Sequence, residues 1–175
     1  MKKVIPILLV VLTLTSCSTV LLTGRRQLNL VSDAELNQMS FAAYKELKDS
    51  VPLSADKVNS AMVNRVGDSL KAAVEKILVA NGAESEIQNF EWEYNMFKVN
   101  QVNAFAMPGG KIAVYDGILP KTMNEAGMAV VVGHEIAHVV AKHSAERLSQ
   151  QVMAQYGGAI LGAAVGGKSA AVQQG

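Results

Sequence analysis

Three segments of the chain place polar and apolar residues in patterns typical of helices. Ser32 to Glu35 match a capping box, so we predict a helix from there to about Lys48. From Asp56 to about Asn81, apolar residues recur three or four positions apart, which predicts a second helix closed by Gly82. Thr122 to Glu125 form another capping box, which predicts a long helix running through the three histidines.

Between the second and third helices, the pattern changes to that of strands. Phe90, Trp92 and Tyr94 alternate with polar residues, the two-residue period of a half-buried strand. Residues 102–107 and 111–115 are extended runs joined by a Pro-Gly-Gly turn. We therefore predict a small antiparallel sheet within an α+β fold that is mainly helical.

The first residues have the pattern of a signal peptide. A basic start precedes an almost wholly apolar run of eleven residues, Val4 to Leu14, which as a helix would span about 16 Å, too little for a hydrocarbon core of about 30 Å. Leu14-Thr15-Ser16-Cys17 resembles a bacterial lipobox, which predicts removal of residues 1–16 and lipidation of Cys17. The alternative is a plain secretory signal with an incidental cysteine.

Lipidation would decide where the protein resides. Cys17 is the only cysteine, so no intrachain disulfide is possible. Acyl chains on Cys17 would hold the protein at a membrane surface without a spanning helix. In bacterial lipoproteins, an Asp directly after the lipidated cysteine often signals retention at the inner membrane. This chain has Ser18 at that position, which favours the outer membrane. We expect a lipid-anchored protein of the cell envelope, on the periplasmic face of the outer membrane, with a tether at 17–31 and one folded domain at 32–175.

Composition narrows the function. A length of 175 residues fits one domain, and 50% hydrophobic against 18% charged residues excludes a disordered chain. Without residues 1–16, 14 basic and 15 acidic residues remain. A nearly neutral chain without a basic run is not typical of nucleic-acid binding, so we expect no nucleic-acid partner.

The chemistry is concentrated in one H-E-x-x-H motif. His134 and His138 lie four residues apart, which on a helix directs both imidazoles to one ion. Glu135 is rotated by about 100° from His134, beside the metal, where its carboxylate can take the proton of a zinc-activated water. The motif predicts a zinc peptidase with two histidine ligands and Glu135 as general base.

The residues that follow the motif do not complete the site on a continuous helix. His143 would lie roughly 180° around the helix from His134, so we predict that it faces away, as a polar residue near a helix end. Ala141 and Ser144 stand where a metzincin has Gly and His, which excludes that class. Glu146 could ligate only if the helix breaks.

Three segments together carry a family resemblance: 23–28 (Thr-Gly-Arg-Arg-Gln-Leu), 103–111 (Asn-Ala-Phe-Ala-Met-Pro-Gly-Gly-Lys) and 133–138 (Gly-His-Glu-Ile-Ala-His). Over nearly all of 20–150 the chain resembles the N-terminal two-thirds of HtpX-like zinc metallopeptidases, the family of the CAAX prenyl protease. It is most similar to periplasmic lipoprotein members involved in outer-membrane protein quality control. The resemblance implies a zincin-like domain of the gluzincin type, with an active-site helix and one Zn²⁺ per chain.

The resemblance also implies how substrate binds. In such enzymes the Pro-Gly-Gly segment borders the active-site cleft, and the adjoining strand pairs with extended substrate. The implied binding residues are Pro108, Gly109, Gly110, Lys111 and Ile112. We expect residues 110–115 to form an edge strand open to β-augmentation. The implied substrates are misfolded or unassembled envelope proteins, and the implied activity is that of an endopeptidase, which hydrolyses peptide bonds within the chain. A plain hairpin turn at 108–110 is compatible with this role.

The chain departs from the family at the third ligand. Family members take it from a glutamate on a later helix, but no Asp, Glu, His or Cys follows Glu146 here. A zinc site with two protein ligands is one short. The simplest expectation is a C-terminally truncated chain. One alternative function is a catalytically incomplete lipoprotein that acts as a chaperone-like binder or assembly factor, and another is a purely structural envelope lipoprotein. An alternative third ligand is Asp116, which the spacing does not support.

Overall fold

The computed structural model describes residues 17–19, 24 and 26–155; the predicted signal peptide and residues 156–175 of the predicted domain lie outside them. The elements, in chain order, are β1 (Cys17–Thr19), β2 (Arg26–Leu28), α1 (Asp33–Ser50), α2 (Lys57–Ala80), β3 (Glu93–Phe97), β4 (Ala104–Met107), β5 (Lys111–Tyr115), α3 (Leu119–Thr122), α4 (Glu125–Val140) and α5 (143–155). The mainly helical composition with a small three-stranded sheet confirms the predicted α+β class.

Side-chain caps set the first two helix starts where the sequence predicted them. The Ser32 hydroxyl accepts a hydrogen bond from the Glu35 amide, and the Glu35 carboxylate accepts one from the Ser32 amide, so the capping box is complete. The Asp56 carboxylate accepts from the Asn59 amide at the start of α2. These bonds satisfy amide groups that a helix start leaves without partners.

The start of α4 differs from the prediction by two residues. Asn124 caps the helix, because its side-chain oxygen accepts a hydrogen bond from the Gly127 amide at 3.0 Å. The predicted cap, Thr122, instead ends the short helix α3, and its hydroxyl donates to the Leu119 carbonyl. Competition between these two nearby caps decided the boundary.

The sheet is mixed, so the prediction of a wholly antiparallel sheet was wrong. Its strand order is β3-β5-β4, with β4 and β5 antiparallel and β3 and β5 parallel. After β3 the chain forms β4 at the opposite edge of the sheet. The Pro-Gly-Gly hairpin then leads into β5, which lies between β3 and β4. Strand β3 therefore runs in the same direction as β5.

Helices cover both faces of the sheet. On one face, α2 and α4 enclose the larger core, whose buried residues include Val63, Val66, Tyr94, Met96, Ile112, Val114, Met128, Val132 and Ile136. On the other face, α1 contributes Tyr44, which packs with Phe97 and Ala113. The Tyr44 hydroxyl donates to the Ile112 carbonyl at 2.7 Å. This sandwich fixes α4 against the sheet.

Within the predicted tether, β1 and β2 form a short antiparallel pair. Across the described ranges, no helix combines the length and the apolar character needed to cross a bilayer.

Candidate metal centre

Helix α4 brings the two motif histidines into direct proximity. Their Nε2 atoms are 3.0 Å apart, and the ring planes are inclined at 85°. Two nitrogens that each lie about 2.0–2.1 Å from a tetrahedral zinc are about 3.3 Å apart. The observed separation is close to that value, and imidazole nitrogen is a ligand that zinc prefers. The two side chains therefore fit a shared zinc ion.

The apolar stripe of α4 determines which way the histidines face. Met128, Val132 and Ile136 are spaced one turn apart and are buried in the core. His134 and His138 each lie two positions further along, about 200° around the helix from that stripe. Burial of the stripe therefore keeps the imidazoles on the side away from the core. Glu135 is half-buried and lies on the helix surface between the buried stripe and the face that carries the histidines.

The helix stops soon after the motif, which overturns the prediction that His143 faces away. Helix α4 ends at Val140, Lys142 adopts the left-handed conformation with φ of 54°, and α5 begins at 143. The turn brings the Nδ1 atom of His143 to 2.5 Å from that of His138. The prediction assumed a continuous helix, and no glycine or proline marks the break in the sequence.

Two ion pairs hold this turn. The Lys142 ammonium lies 2.7 Å from the Asp33 carboxylate and 2.9 Å from that of Glu86. Burial alone would lower the pKa of Lys142, but hydrogen bonds and charge from both carboxylates outweigh it and raise the pKa above its ordinary value. The partners belong to α1 and to a 3-10 turn at Glu84–Asn89.

An apolar cavity of about 460 Å³ lies beside the histidines, between α2 and α4. It is bordered by His134, His138 and His143, and its other walls include Leu70, Val74, Ile77, Ala137 and Val140. The histidines thus form the polar side of an otherwise apolar recess.

The described residues bring two candidate metal ligands together, His134 and His138. In the ranges that the structure covers, no group of three His, Cys, Asp or Glu side chains surrounds a common point. Asp116 is engaged elsewhere, because its carboxylate accepts hydrogen bonds from the Val99 amide at 3.0 Å and the Ser54 hydroxyl at 3.4 Å. Although the helix breaks before Glu146, that residue does not complete a set of three either.

The predicted substrate residues divide into two groups. Pro108 and Gly109 border a cleft that His138 also lines, so the turn and His138 face the same cleft. Gly109 has φ of 77°, and a Cβ there would approach the Phe41 ring to 2.4 Å, so the turn requires glycine. Lys111 and Ile112 are 8% and 0% exposed within β5, and Gly110 is buried.

Burial of β5 overturns the expectation that residues 110–115 form an edge strand. Strand β5 is central, because β3 pairs along one side of it and β4 along the other. The outer side of β3 is itself partly paired, since the Ser54 amide donates to Met96 and the Lys98 amide donates to Pro52. Within the described three-stranded sheet, β4 is therefore the edge strand whose outer side has neither a strand nor a bridge partner.

The register of β4 identifies its outward backbone groups. The Tyr115 amide donates to the Asn103 carbonyl at 3.0 Å, which makes this a hydrogen-bonded pair in the antiparallel ladder. Bonded and non-bonded pairs alternate, so the amides and carbonyls of Ala104 and Ala106 point away from β5. The side chains of these two alanines pack on the core that contains α4. Sequence reasoning predicted an extended run at 102–107 but not its position at the edge of the sheet, because a short apolar run does not distinguish an edge strand from a central one.

The chain is similar in sequence to proteins of known family. The family model "Peptidase family M48" matches residues 64–174. The chain is 34% identical over 131 residues to the mitochondrial metalloendopeptidase OMA1 of Schizosaccharomyces pombe, covering 73% of this chain and 36% of that protein. It is 27% identical over 116 residues to the beta-barrel assembly-enhancing protease of Escherichia coli (strain K12), covering 65% of this chain and 21% of that protein.

Proposed function

Because the chain belongs to Peptidase family M48, we propose that it is a membrane-anchored zinc metalloendopeptidase that hydrolyses misfolded or unassembled cell-envelope proteins. Metallopeptidases of this family are zinc enzymes. The observation that carries the proposal is the pair of imidazole nitrogens, 3.0 Å apart, within the H-E-x-x-H motif. The chain spans 36% and 21% of the lengths of the two relatives compared above. The activity of those whole proteins is therefore carried to this chain only as a proposal.

Each motif residue has a defined role in this proposal. His134 and His138 would hold the zinc through their Nε2 atoms. Bound zinc supplies a Lewis acid that polarises the scissile carbonyl and lowers the pKa of water. Glu135 accepts the proton of the attacking water and delivers it to the amine nitrogen that leaves. Met128, Val132 and Ile136, which are buried in the core, hold the helix that carries all three side chains against the sheet.

Substrate binding follows from the edge of the sheet. The outward amides and carbonyls of Ala104 and Ala106 can pair with a polypeptide backbone, as in β-augmentation. Pro108 and Gly109 border the cleft beyond the end of β4, beside His138. Only an extended chain can offer its backbone in this way, which suits unfolded substrates. Gly110, Lys111 and Ile112 then support the site from within the sheet and do not touch substrate.

The location is proposed from the first residues and from the relatives. Cys17 follows a lipobox-like sequence, and one relative is named a beta-barrel assembly-enhancing protease. A lipid on Cys17 would hold the domain on the periplasmic face of the outer membrane, within reach of unassembled envelope proteins. A placement among HtpX-like periplasmic lipoproteins belongs to the same proposal.

A second candidate is a non-catalytic binder of unfolded chains. The observation that favours it is that the described residues supply two imidazole ligands and no group of three. Such a protein would use the same strand edge to hold a chain without cleaving it.

Zinc content and cleavage of an unfolded protein test the proposal together. The full chain, purified from bacterial membranes without added metal, should carry about one zinc per molecule and cleave the unfolded protein. Glu135→Gln should retain zinc and lose cleavage, whereas the control Glu125→Gln, at the exposed start of the same helix, should retain both. Cleavage by Glu135→Gln would exclude Glu135 as the base. Suppressed aggregation without cleavage by the wild type would favour the binder.

A further inference from the structure

Both ring nitrogens of His138 have a partner. Its Nε2 atom faces that of His134 at 3.0 Å, and its Nδ1 atom faces that of His143 at 2.5 Å. A neutral imidazole carries its proton on one nitrogen and a lone pair on the other. If the Nδ1 proton is donated to His143, the lone pair remains on Nε2, on the side of His134.

We infer that His143 is a positioning residue of the metal centre: its Nδ1 atom accepts the hydrogen bond of the His138 Nδ1 proton. The bond selects the tautomer of His138 and fixes the plane of the ring, with Nε2 directed at the zinc position. Histidine ligands of zinc commonly donate their second ring proton to such a partner, which makes the ligand more basic. The inference rests on the proposed function, because it assigns the ligand role to His138.

The nitrogens involved separate this role from direct ligation. An ion held between His134 and His138 lies on the Nε2 side of His138, whereas His143 meets the opposite nitrogen. One ring cannot present Nδ1 and Nε2 to the same ion. His143 therefore acts through His138 and does not serve as the third ligand.

The turn after α4 places His143 for this role. On a continuous helix, His143 would lie about 7.5 Å further along the axis and about 140° around it from His138. The left-handed conformation of Lys142 breaks the helix, and this conformation is unfavourable for a residue with a Cβ. The contacts of Lys142 with Asp33 and Glu86 offset that cost. The ion pairs thus hold the imidazole partner in place.

The test compares two variants of the full chain, His143→Ala and His143→Gln. The glutamine amide oxygen can still accept a hydrogen bond, whereas alanine cannot. Zinc affinity is measured by competition with a chelator, with Arg147→Ala, exposed on α5, as the control. We expect a 10- to 100-fold weaker affinity for His143→Ala, partial recovery in His143→Gln, and no change in the control. Loss of zinc as complete as in His134→Ala, without recovery by Gln, would show that His143 is a ligand and overturn the inference.

A second measurement needs no metal. Nitrogen-15 NMR of the imidazoles in the zinc-free protein should place the His138 proton on Nδ1 in the wild type and on Nε2 in a larger fraction of His143→Ala. An unchanged tautomer in His143→Ala would overturn the inference. Unchanged zinc affinity in His143→Ala would also overturn it, provided that His134→Ala loses the zinc that the wild type binds. If the wild type binds no zinc and His134→Ala changes nothing, the proposed function fails as well. Thermal unfolding of the zinc-free variants identifies any that fails to fold.

Discussion

The ammonium group of Lys142 contacts the carboxylate of Asp33 at 2.7 Å, across 109 residues of sequence. The contact joins the turn that follows the histidine helix to the first turn of α1. Glu86 approaches the same ammonium group from the segment before β3. The geometry behind the histidines thus depends on residues from three distant parts of the chain.

Replacing Lys142 by methionine should lower the free energy of unfolding by about 1–2 kcal/mol, because two carboxylates then lose their partner. The control is Lys45→Met, whose pair with Asp49 is largely exposed and screened by solvent, so its loss should change the free energy of unfolding much less. Chemical denaturation of both variants measures the difference. An equal loss in the two would show that the partly buried position of Lys142 adds nothing.

The same ion pairs predict a dependence on alkaline pH. The folded state raises the pKa of Lys142, so its contribution is complete below the unfolded lysine value of about 10.4 and is lost as the pH rises through the higher folded value. The stability difference between wild type and Lys142→Met should be constant from about pH 6 to about pH 9 and should shrink above about pH 10.5. A difference that shrinks between about pH 6 and about pH 9 would contradict the assignment.

Two buried tyrosines should respond in opposite ways to loss of the hydroxyl. Tyr44 donates to the Ile112 carbonyl and accepts from Asn95, so Tyr44→Phe should cost about 1–2 kcal/mol. The Tyr94 hydroxyl is buried without a hydrogen-bond partner among the described residues, so Tyr94→Phe should be neutral or stabilise by up to about 1 kcal/mol. Urea unfolding measures both, and a larger loss for Tyr94→Phe would refute the hydrogen-bond assignment. Burial raises the pKa of both phenols above the ordinary value.

Two helical glycines differ in the space beside them. A Cβ at Gly67 would lie 2.6 Å from the ring of Tyr94, so Gly67→Ala should destabilise by about 1–3 kcal/mol despite its better helix propensity. A Cβ at Gly133 would meet Leu70 at 3.6 Å, an ordinary contact, so Gly133→Ala should stabilise by up to about 1 kcal/mol. Thermal unfolding of the zinc-free variants gives the comparison. Similar effects of both substitutions would mean that helix α2 does not pack on Tyr94 as described.

Amide hydrogen exchange can locate the substrate strand. Without ligand, the outward amides of Ala104 and Ala106 should exchange faster than those of Phe105 and Met107, which face β5. A peptide that the wild type cleaves, bound to Glu135→Gln, should slow exchange at the two alanines by about 10-fold or more. Bound peptide without such protection would mean that substrate does not pair with β4.

Local sequence signals predicted the parts of the fold that local interactions decide. Ser32 and Asp56 cap their helices as their side chains indicate, because a cap involves residues only a few positions away. The proximity of His134 and His138 follows from the pitch of a helix in the same way.

Long-range contacts decide the remaining parts. Lysine does not favour the left-handed conformation, so only its distant carboxylate partners explain the break at Lys142 and the position of His143. The central position of β5 depends on β3 pairing on the side opposite the hairpin, and the strand sequences carry no signal of that order. Both errors concern the surroundings of the histidines.

The outer edge of β4 has a consequence for the protein at high concentration. Ala104 to Met107 carry no charge and no proline, the features that usually prevent a strand edge from pairing with foreign chains. If the β4 edge pairs with extended polypeptides as proposed, without regard to sequence, it can also pair with β4 of a second molecule. The proposed membrane anchor would concentrate such molecules in one leaflet, and edge-to-edge dimers would then compete with substrate for the same strand.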